Sequence, residues 1–246
     1  MKIVGIIPAR YGSSRFPGKP LAMIKGKTMI QRVCEQAWKS KLDDVVVATD
    51  DIRIADEVLK FGGKYVMTDP RHQSGTDRCC EALEILEEQY DAVINIQGDE
   101  PFIDPQHINL LVDMISRDDT QLASLVKRID DEEELFGSNK VKVVMDKSGN
   151  ALYFSRNPIP YMRNVPHEKW LQKGCFFQHL GIYAYKAETL RQIATMQPTE
   201  LELAESLEQL RWLENGLAIR MAVVEADSLA IDCPADLAKA IEMAQN

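Results

Sequence analysis

Residues 2–19 read KIVGIIPARYGSSRFPGK, an apolar run that predicts a buried strand, followed by a loop with three basic side chains. Arg10, Arg15 and Lys19 supply fixed positive charge, two serines supply hydroxyls, and two glycines free the backbone. This combination suits a polyphosphate, because cations and small polar groups bind its oxygens together. A solvated surface loop with stray basic residues is the alternative. The position of the charges, directly after a strand in an acidic chain, disfavours it.

The spacing of the glycines excludes two common nucleotide-binding loops. A P-loop requires Ser or Thr after its Gly-Lys pair, and here Pro20 follows Lys19. The dinucleotide fingerprint requires Gly-x-Gly-x-x-Gly, and residues 9–18 contain no Gly-x-Gly. The loop therefore predicts a nucleoside triphosphate site that uses neither motif.

The 246-residue chain has a formal net charge of −9, with 29 Lys and Arg against 38 Asp and Glu. This acidity argues against nucleic acid or a membrane surface as partner, so the basic loop predicts a small anionic ligand. The five cysteines form no Cys-x-x-Cys pair, which is typical of buried thiols in a reducing compartment. With no leader segment and no apolar run near about eighteen residues, we expect a cytoplasmic protein.

Short β-branched runs alternate with amphipathic stretches in the first half, which is typical of parallel strands joined by helices. Strands are predicted at residues 3–7, 45–49, 64–67, 92–97 and 122–127, and helices at residues 28–39, 52–61, 76–89 and 105–115. We therefore predict an α/β fold with a Rossmann-like, mostly parallel central sheet flanked by helices. Because ligands collect outside the carboxyl ends of such strands, the turns after the first and fourth strands are expected to face one pocket.

From about residue 140 the pattern changes to a smaller α+β elaboration. Residues 141–145 and 151–154 predict a hairpin around a glycine turn, and an irregular, proline-punctuated stretch covers residues 157–174. A strand at 179–185, a helix at 202–215, a strand at 218–224 and a helix at 234–244 are predicted to follow. No repeat or linker interrupts the chain, so residues 1–246 are predicted to form a single domain.

Two aspartates are candidate metal ligands. Asp99 follows Gly98 at the carboxyl end of the fourth predicted strand, and Mg²⁺ prefers one or two carboxylates together with phosphate and water oxygens. A turn-capping aspartate is the alternative there. Asp232 stands just before the last predicted helix, and from the residues alone a plain N-cap is favoured at that position.

Other polar residues are open to two interpretations. Residues 73–78, QSGTDR, suit a base or ribose edge, and a capping box with Ser74 or Thr76 as N-cap is an equal alternative that can hold at the same time. A second set lies on otherwise apolar stretches, where each member could also be a satisfied core or surface residue: Arg156, His179, Tyr183, Glu208 and Gln209. The remaining histidines, His72, His107 and His167, show no metal-ligand spacing and are assigned no chemistry.

Seven segments together resemble the 3-deoxy-D-manno-octulosonate (Kdo) cytidylyltransferase family, which has the nucleotide-diphospho-sugar transferase fold. They are IPARY (7–11), RFPGKPL (15–21), ATD (48–50), HQSGTDR (72–78), NIQGDEP (95–101), ALYFSR (151–156) and HLGIY (179–183). The basic loop is shared by many nucleotidyltransferases, whereas the QSGT, YFSR and HLGIY segments point to the Kdo family. Phe16, where leucine is frequent, and Asn157-Pro158 depart from the family pattern without touching its chemistry.

The resemblance implies that CTP and Kdo react to give CMP-Kdo and pyrophosphate for lipopolysaccharide synthesis. The anomeric hydroxyl would attack the α-phosphorus in line, with Mg²⁺ as cofactor and no protein nucleophile. The implied catalytic residues are Lys19, Asp99 and Asp232, and both aspartates are implied metal ligands. The implied nucleotide-binding residues are Pro8, Ala9, Arg10, Ser13, Arg15, Lys19, Gln73, Ser74, Gly75 and Arg78. The implied sugar-binding residues are Gln97, Arg156, His179, Tyr183, Glu208 and Gln209, with Arg156 on the Kdo carboxylate.

The elaboration at about residues 140–200 is expected to serve the acceptor sugar and the contact of a homodimer. Two alternatives stay open. A sister nucleotidyltransferase would load another acceptor such as sialic acid, and a non-catalytic nucleotide-binding module would need neither Asp99 nor Asp232. A Rossmann oxidoreductase is disfavoured by the missing glycine fingerprint.

Overall fold

The structure is a computed structural model that describes residues 1–12, 16–225 and 229–244. Its strands are β1 (Ile3–Ala9), β2 (Met23–Ile24), β3 (Lys27–Thr28), β4 (Asp44–Thr49), β5 (Lys64–Met67), β6 (Ala92–Asn95), β7 (Leu122–Arg128), β8 (Lys142–Met145), β9 (Ala151–Ser155), β10 (Phe177–Lys186) and β11 (Arg220–Val224). Its helices are α1 (Met29–Ala37), α2 (Ile52–Lys60), α3 (Gly75–Ile85), α4 (Pro105–Ile115), α5 (Glu132–Phe136), α6 (Trp170–Lys173), α7 (Ala187–Ala194), α8 (Glu200–Glu205), α9 (Gln209–Glu214) and α10 (Pro234–Met243). Short 3₁₀ turns cover Lys19–Leu21 and His167–Lys169.

The central sheet confirms the predicted α/β architecture. Its strand order is β11-β7-β10-β6-β1-β4-β5, with β8 and then β9 added beside β10. Strand β1 pairs in parallel with both β4 and β6, and β4–β5 and β7–β11 are also parallel. Strand β10 runs antiparallel to β6, β7 and β8, and β9 runs antiparallel to β8, so the sheet is mostly parallel with two reversed strands.

Both faces of β1 are buried, which is why its sequence is a continuous apolar run. Val4 and Ile6 pack in the hydrophobic cluster on one side of the sheet, and Ile3 and Ile7 pack in the cluster on the other side. The chain leaves β1 toward β4 on one side and returns to β6 on the other. The carboxyl ends of β1 and β6 therefore meet at the switch point of the sheet, where such folds bind ligands.

Two helices that follow strands of the parallel sheet, α2 and α4, begin at aspartate caps. Asp51 and Asp104 accept hydrogen bonds from the amides of Arg53 (2.9 Å) and Gln106 (2.8 Å) at the first turns of α2 and α4. Such caps satisfy amides that have no partner inside the helix, and they fix where each loop ends.

No helix within the described ranges is long and apolar enough to span a membrane.

One predicted element is wrong. The single helix expected at residues 202–215 is two helices, α8 and α9, because Ser206 adopts the left-handed conformation (φ 52°, ψ 51°). The carboxylate of Glu205 accepts hydrogen bonds from the Ser155 hydroxyl (2.6 Å) and the Arg156 amide (2.9 Å), and these contacts hold the break against β9. The predicted hairpin is confirmed as β8 and β9, which pair antiparallel.

Candidate active site

An open cavity of about 270 Å³ lies outside the carboxyl ends of β1 and β6. It is lined by Pro8, Ala9, Arg10, Lys19, Pro20, His72, Gln73, Ser74, Gly75, Arg78, Gln97, Gly98, Asp99 and Asp232. The turns after the first and fourth predicted strands do face one pocket, as expected from the topology.

The loop after β1 brings two cations to this cavity. Gly18 has a positive φ of 70° and its amide donates to the Tyr11 carbonyl (2.9 Å), which closes the loop and places Lys19 at the start of a 3₁₀ turn. The Arg10 guanidinium is exposed at the cavity wall, and no side chain in the described ranges forms an ion pair with it. An exposed guanidinium at a cavity wall is suited to bind an anionic ligand. Two predicted members of the loop, Ser13 and Arg15, lie outside the described residues.

Two carboxylates converge on the Lys19 ammonium. The Lys19 Nζ lies 2.6 Å from Asp99 Oδ2 and 3.7 Å from Asp232 Oδ1. Although Asp232 is distant in sequence, the Ile231 amide donates to the Asp99 carbonyl (2.9 Å), which fixes the two segments side by side. The sequence-distant aspartates therefore share one cation position at the cavity rim.

The N-cap interpretation of Asp232, which the residues alone favoured, is wrong. Helix α10 is capped by Cys233, and the Asp236 carboxylate accepts hydrogen bonds from the amides of Asp232 and Cys233, each at 3.0 Å. Hydrogen bonds from the Cys233 thiol and from these amides lower the pKa of Asp236. Asp236 therefore binds the local amides, and the Asp232 carboxylate lies at the cavity, 3.7 Å from the Lys19 ammonium.

The capping interpretation of residues 73–78 is confirmed at Ser74, and the contact with a base or ribose edge stays a prediction. Ser74 is the N-cap of α3 and accepts from the Asp77 amide (3.1 Å), while Gln73, Ser74, Gly75 and Arg78 also line the cavity. The Arg78 guanidinium is buried, where it donates to Asp50 Oδ2 (2.8 Å) and to the Thr68 hydroxyl. These bonds join the ends of β4, β5 and α3 beneath the pocket.

Close backbone contacts form the opposite wall. A Cβ placed on Gly98 would lie 2.9 Å from the Pro8 carbonyl oxygen, so only glycine lets the two loops approach this closely. The Gln97 amide donates to the Gly181 carbonyl (2.7 Å), which ties this loop to β10. His72 also lines the cavity, and its Nε2 lies 2.5 Å from Glu81 Oε2. The sequence analysis assigned it no role. Its position next to Gln73 was the one sequence feature that could have indicated a place in the cavity.

A family model described as Cytidylyltransferase matches residues 4–220. The chain belongs to the cytidylyltransferase family. A 3-deoxy-manno-octulosonate cytidylyltransferase from Parabacteroides distasonis is 52% identical over 250 residues, covering 100% of this chain and 99% of the relative. One from Cytophaga hutchinsonii is 53% identical over 239 residues, covering 96% and 95%.

Solved structures place this cytidylyltransferase in the same fold. A CMP:2-keto-3-deoxy-manno-octonic acid synthetase complexed with CTP superposes with a TM-score of 0.92 at 44% identity, covering 100% of this chain and 99% of that one. A cytidylyltransferase from Leptospira borgpetersenii, at 16% identity and a TM-score of 0.63 over 100% and 94% of the two chains, shares the fold.

Five residues predicted for the acceptor do not line the cavity of this cytidylyltransferase: Arg156, His179, Tyr183, Glu208 and Gln209. The Arg156 guanidinium donates to three backbone carbonyls, those of Glu205 (2.7 Å), Ser138 (3.1 Å) and Ser206 (3.1 Å). The partners given for the guanidinium are carbonyl oxygens rather than a carboxylate, although the Glu205 carboxylate accepts from the Arg156 backbone amide.

Of the other four, His179, Tyr183 and Gln209 are buried behind the cavity, and Glu208 is half-buried. Burial lowers the pKa of His179 to about 3, so the imidazole is neutral and hydrogen-bonds Ser124 Oγ (2.9 Å). Burial raises the pKa of Glu208, whose Oε2 accepts from the Thr76 hydroxyl (2.7 Å) next to the cavity-lining Gly75. Burial, and after it the Glu208 charge, raise the pKa of Tyr183. A layer of polar side chains therefore adjoins the pocket on the α3 side.

Proposed function

We propose that this chain transfers CMP from CTP to the anomeric hydroxyl of 3-deoxy-manno-octulosonate and releases pyrophosphate, a step toward lipopolysaccharide. The proposal is carried by one observation: a single cavity gathers the cations of the β1 loop, two carboxylates and the turn at residues 73–75. Relatives that are about half identical over nearly the whole chain bear the name of this activity, and the similar solved structure is complexed with CTP.

In this proposal the triphosphate lies along the loop after β1. Arg10 and Lys19 would bind its oxygens, with Ser13 and Arg15 as further predicted contacts. The base and ribose would lie against Gln73, Ser74, Gly75 and Arg78 and the backbone of Pro8 and Ala9, all of which line the cavity. The Ser74 cap and the buried Arg78–Asp50 ion pair fix these residues in place, so a ligand can bind them without a change in their conformation.

The residues fit the Mg²⁺ that the resemblance implies. Asp99 and Asp232 lie within 4 Å of one ammonium, so one divalent ion could contact both carboxylates. No group of three or more His, Cys, Asp or Glu side chains suited to a metal occurs among the described residues, which fits an ion completed by phosphate and water oxygens. When bound, Mg²⁺ lowers the pKa of an attacking hydroxyl and neutralises charge on the phosphates.

The chain's own contribution to the reaction is then positioning. Arg10 would orient the triphosphate so that pyrophosphate leaves in line with the attacking oxygen, and Lys19 would offset the charge that develops on the phosphates. Gln97 would orient the acceptor from the neighbouring wall. No side-chain nucleophile is needed, because the sugar hydroxyl forms the new bond to phosphorus directly.

For the acceptor we retain Arg156 as the partner of the sugar carboxylate. Its guanidinium bonds neutral carbonyls, and a carboxylate is a stronger partner for an arginine fork than a carbonyl. His179, Tyr183, Glu208 and Gln209 are proposed to bond the sugar hydroxyls from the polar layer behind Gly75. His179, Tyr183 and Gln209 are buried in this structure, so this role requires the acceptor to reach into that layer.

We also propose that residues 1–246 form one domain and that two copies form a homodimer. We further propose a cytoplasmic location, where CTP is present. The exposed Leu152 and Tyr161, 60% and 73% accessible, lie on the hairpin and the irregular stretch predicted to meet a second copy. Light scattering of wild type and Leu152→Asp tests this assembly. A monomeric wild type would contradict it.

The activity is tested by pyrophosphate release with Mg²⁺ and CTP, ATP, GTP or UTP, each combined with the octulosonate or with sialic acid. We expect release only with CTP and the octulosonate. Faster release with sialic acid would favour a sister enzyme. CTP binding without release with any acceptor would favour a non-catalytic nucleotide-binding module.

A further inference from the structure

The Lys19 ammonium lies in contact with the two carboxylates proposed for the metal. Its Nζ is 2.6 Å from Asp99 Oδ2 and 3.7 Å from Asp232 Oδ1, and its side chain is only 18% exposed. Sequence reasoning placed this ammonium on the triphosphate. The same charged group therefore has two candidate partners, the carboxylates and the phosphates.

A divalent ion and this ammonium compete for the same oxygens. Mg²⁺ binds carboxylate oxygens at about 2.1 Å, so an ion on Asp99 Oδ2 would stand within a few ångströms of the ammonium that now contacts this oxygen. Like charges at about 4 Å repel strongly in a partly buried site. The two cations cannot both keep full contact with the pair.

Resting on the proposed metal site, we infer that Lys19 is a positioning residue that holds Asp99 and Asp232 together and gives up this place to a divalent cation when phosphates take its ammonium. Before the exchange, the single positive charge of the ammonium offsets one of the two carboxylate charges. After it, the divalent ion would balance both carboxylates, and the ammonium would offset charge on phosphate oxygens.

The local backbone makes the exchange a movement of one side chain. Gly18 and the 3₁₀ turn fix the Lys19 backbone, and the neighbouring Pro20 is buried. A lysine has a flexible stem and a point charge that can bond carboxylate or phosphate without a fixed planar geometry. The metal is then expected to bind weakly alone and tightly together with nucleotide.

Mn²⁺ binding without nucleotide, followed by electron paramagnetic resonance, tests the competition. Lys19→Met should bind Mn²⁺ about tenfold more tightly than wild type, because a nearby positive charge is lost. Lys19→Arg keeps the charge and should stay close to wild type. Lys64→Met, which removes the same charge from an ion pair with Asp44 at the other edge of the sheet, is the matched control and should not change the affinity.

Unchanged or weaker Mn²⁺ binding by Lys19→Met would overturn the inference, as would equal tightening by Lys19→Arg. Asp99→Asn separates this from failure of the proposed function: if Asp99→Asn binds Mn²⁺ like wild type, the metal site itself is wrong. Should Lys19→Met not fold, ammonium ¹⁵N resonances of the wild type decide. We expect Mg²⁺ to shift the Lys19 resonance and not that of Lys64, and an unmoved Lys19 resonance at saturating Mg²⁺ would contradict the exchange.

Discussion

The amide of Ile231 donates a 2.9 Å hydrogen bond to the carbonyl of Asp99. This bond joins the segment before α10 to the loop after β6, and it is the contact that sets the two carboxylates side by side. Ile231 is fully buried in a small cluster with Ile24, Met29 and Ala240, separate from the clusters that flank the sheet. The acid pair therefore depends on packing that is local to α10.

Truncating Ile231 should loosen the acid pair. Ile231→Ala removes buried methyl groups from this small cluster, at a cost of about 2–5 kcal/mol, and the released segment carries Asp232. We expect weaker Mn²⁺ binding and faster amide exchange in residues 229–244. Ile108→Ala makes the same change on α4 in a main cluster and should lower global stability without weakening metal binding. Equal Mn²⁺ affinity in wild type and Ile231→Ala would contradict this account.

Adding one carbon at Gly98 should disturb the nucleotide site. In Gly98→Ala the new Cβ would meet the Pro8 carbonyl oxygen at 2.9 Å, and a backbone oxygen cannot rotate away. Overpacking of this kind costs about 1–3 kcal/mol, so we expect a lower melting temperature and a higher KM for CTP. Gly181→Ala adds the same carbon where nothing lies within 4 Å and serves as control. An unchanged KM in Gly98→Ala would argue against this wall as a nucleotide contact.

The buried His179 should make the fold sensitive to acid. Burial lowers its pKa from 6.5 to about 3, so between these values the unfolded chain binds a proton that the folded chain excludes. Stability from the neutral imidazole is complete above the unfolded pKa and falls as the pH decreases, by up to about 1.4 kcal/mol per pH unit.

Denaturant unfolding across this acidic range provides the measurement. His179→Asn should flatten the pH dependence of the unfolding free energy, because it removes the titrating group and keeps a polar side chain beside Ser124. His167→Asn, at an exposed histidine, is the control for loss of an imidazole. Parallel pH profiles for wild type and His179→Asn would show that this histidine does not set the acid sensitivity.

Arg156 should discriminate between the two substrates. If its guanidinium binds the sugar carboxylate, Arg156→Ala loses a charged hydrogen bond of about 1.5–3 kcal/mol, which raises the KM for the octulosonate about 10- to 100-fold. The KM for CTP should change little. Arg156→Lys retains the charge without the planar guanidinium, so its KM for the octulosonate should lie between those of wild type and Arg156→Ala. Arg191→Ala, which removes an arginine from a salt bridge with Glu84, is the control. Equal weakening of both substrates would contradict the carboxylate role.

The parallel core and the cavity wall at residues 73–78 could be predicted from sequence because their signals are local. The apolar run of β1, the caps of the following helices and the loop of glycines and cations are each encoded within a few residues. Ser74 illustrates this, since one hydroxyl at a helix start predicted both a cap and a cavity position, and the structure places it in both.

Tertiary hydrogen bonds account for what sequence could not predict. The residues around Ser206 do not predict the break between α8 and α9. Contacts of Glu205 with Ser155 and Arg156 stabilise it. The position of Asp232 before a helix favours an N-cap, but Cys233 and Asp236 supply the cap of α10. The contact of Lys19 with two carboxylates likewise depends on Ile231 bonding Asp99, which no spacing reveals.

A crystal grown with CTP and Mn²⁺ would show the ligands of the metal and of the triphosphate together. We expect anomalous density between Asp99 and Asp232, with the triphosphate against Arg10 and the Lys19 ammonium moved from the carboxylates onto phosphate oxygens. Nucleotide bound away from the carboxyl ends of β1 and β6, or Mn²⁺ bound without either aspartate, would contradict it.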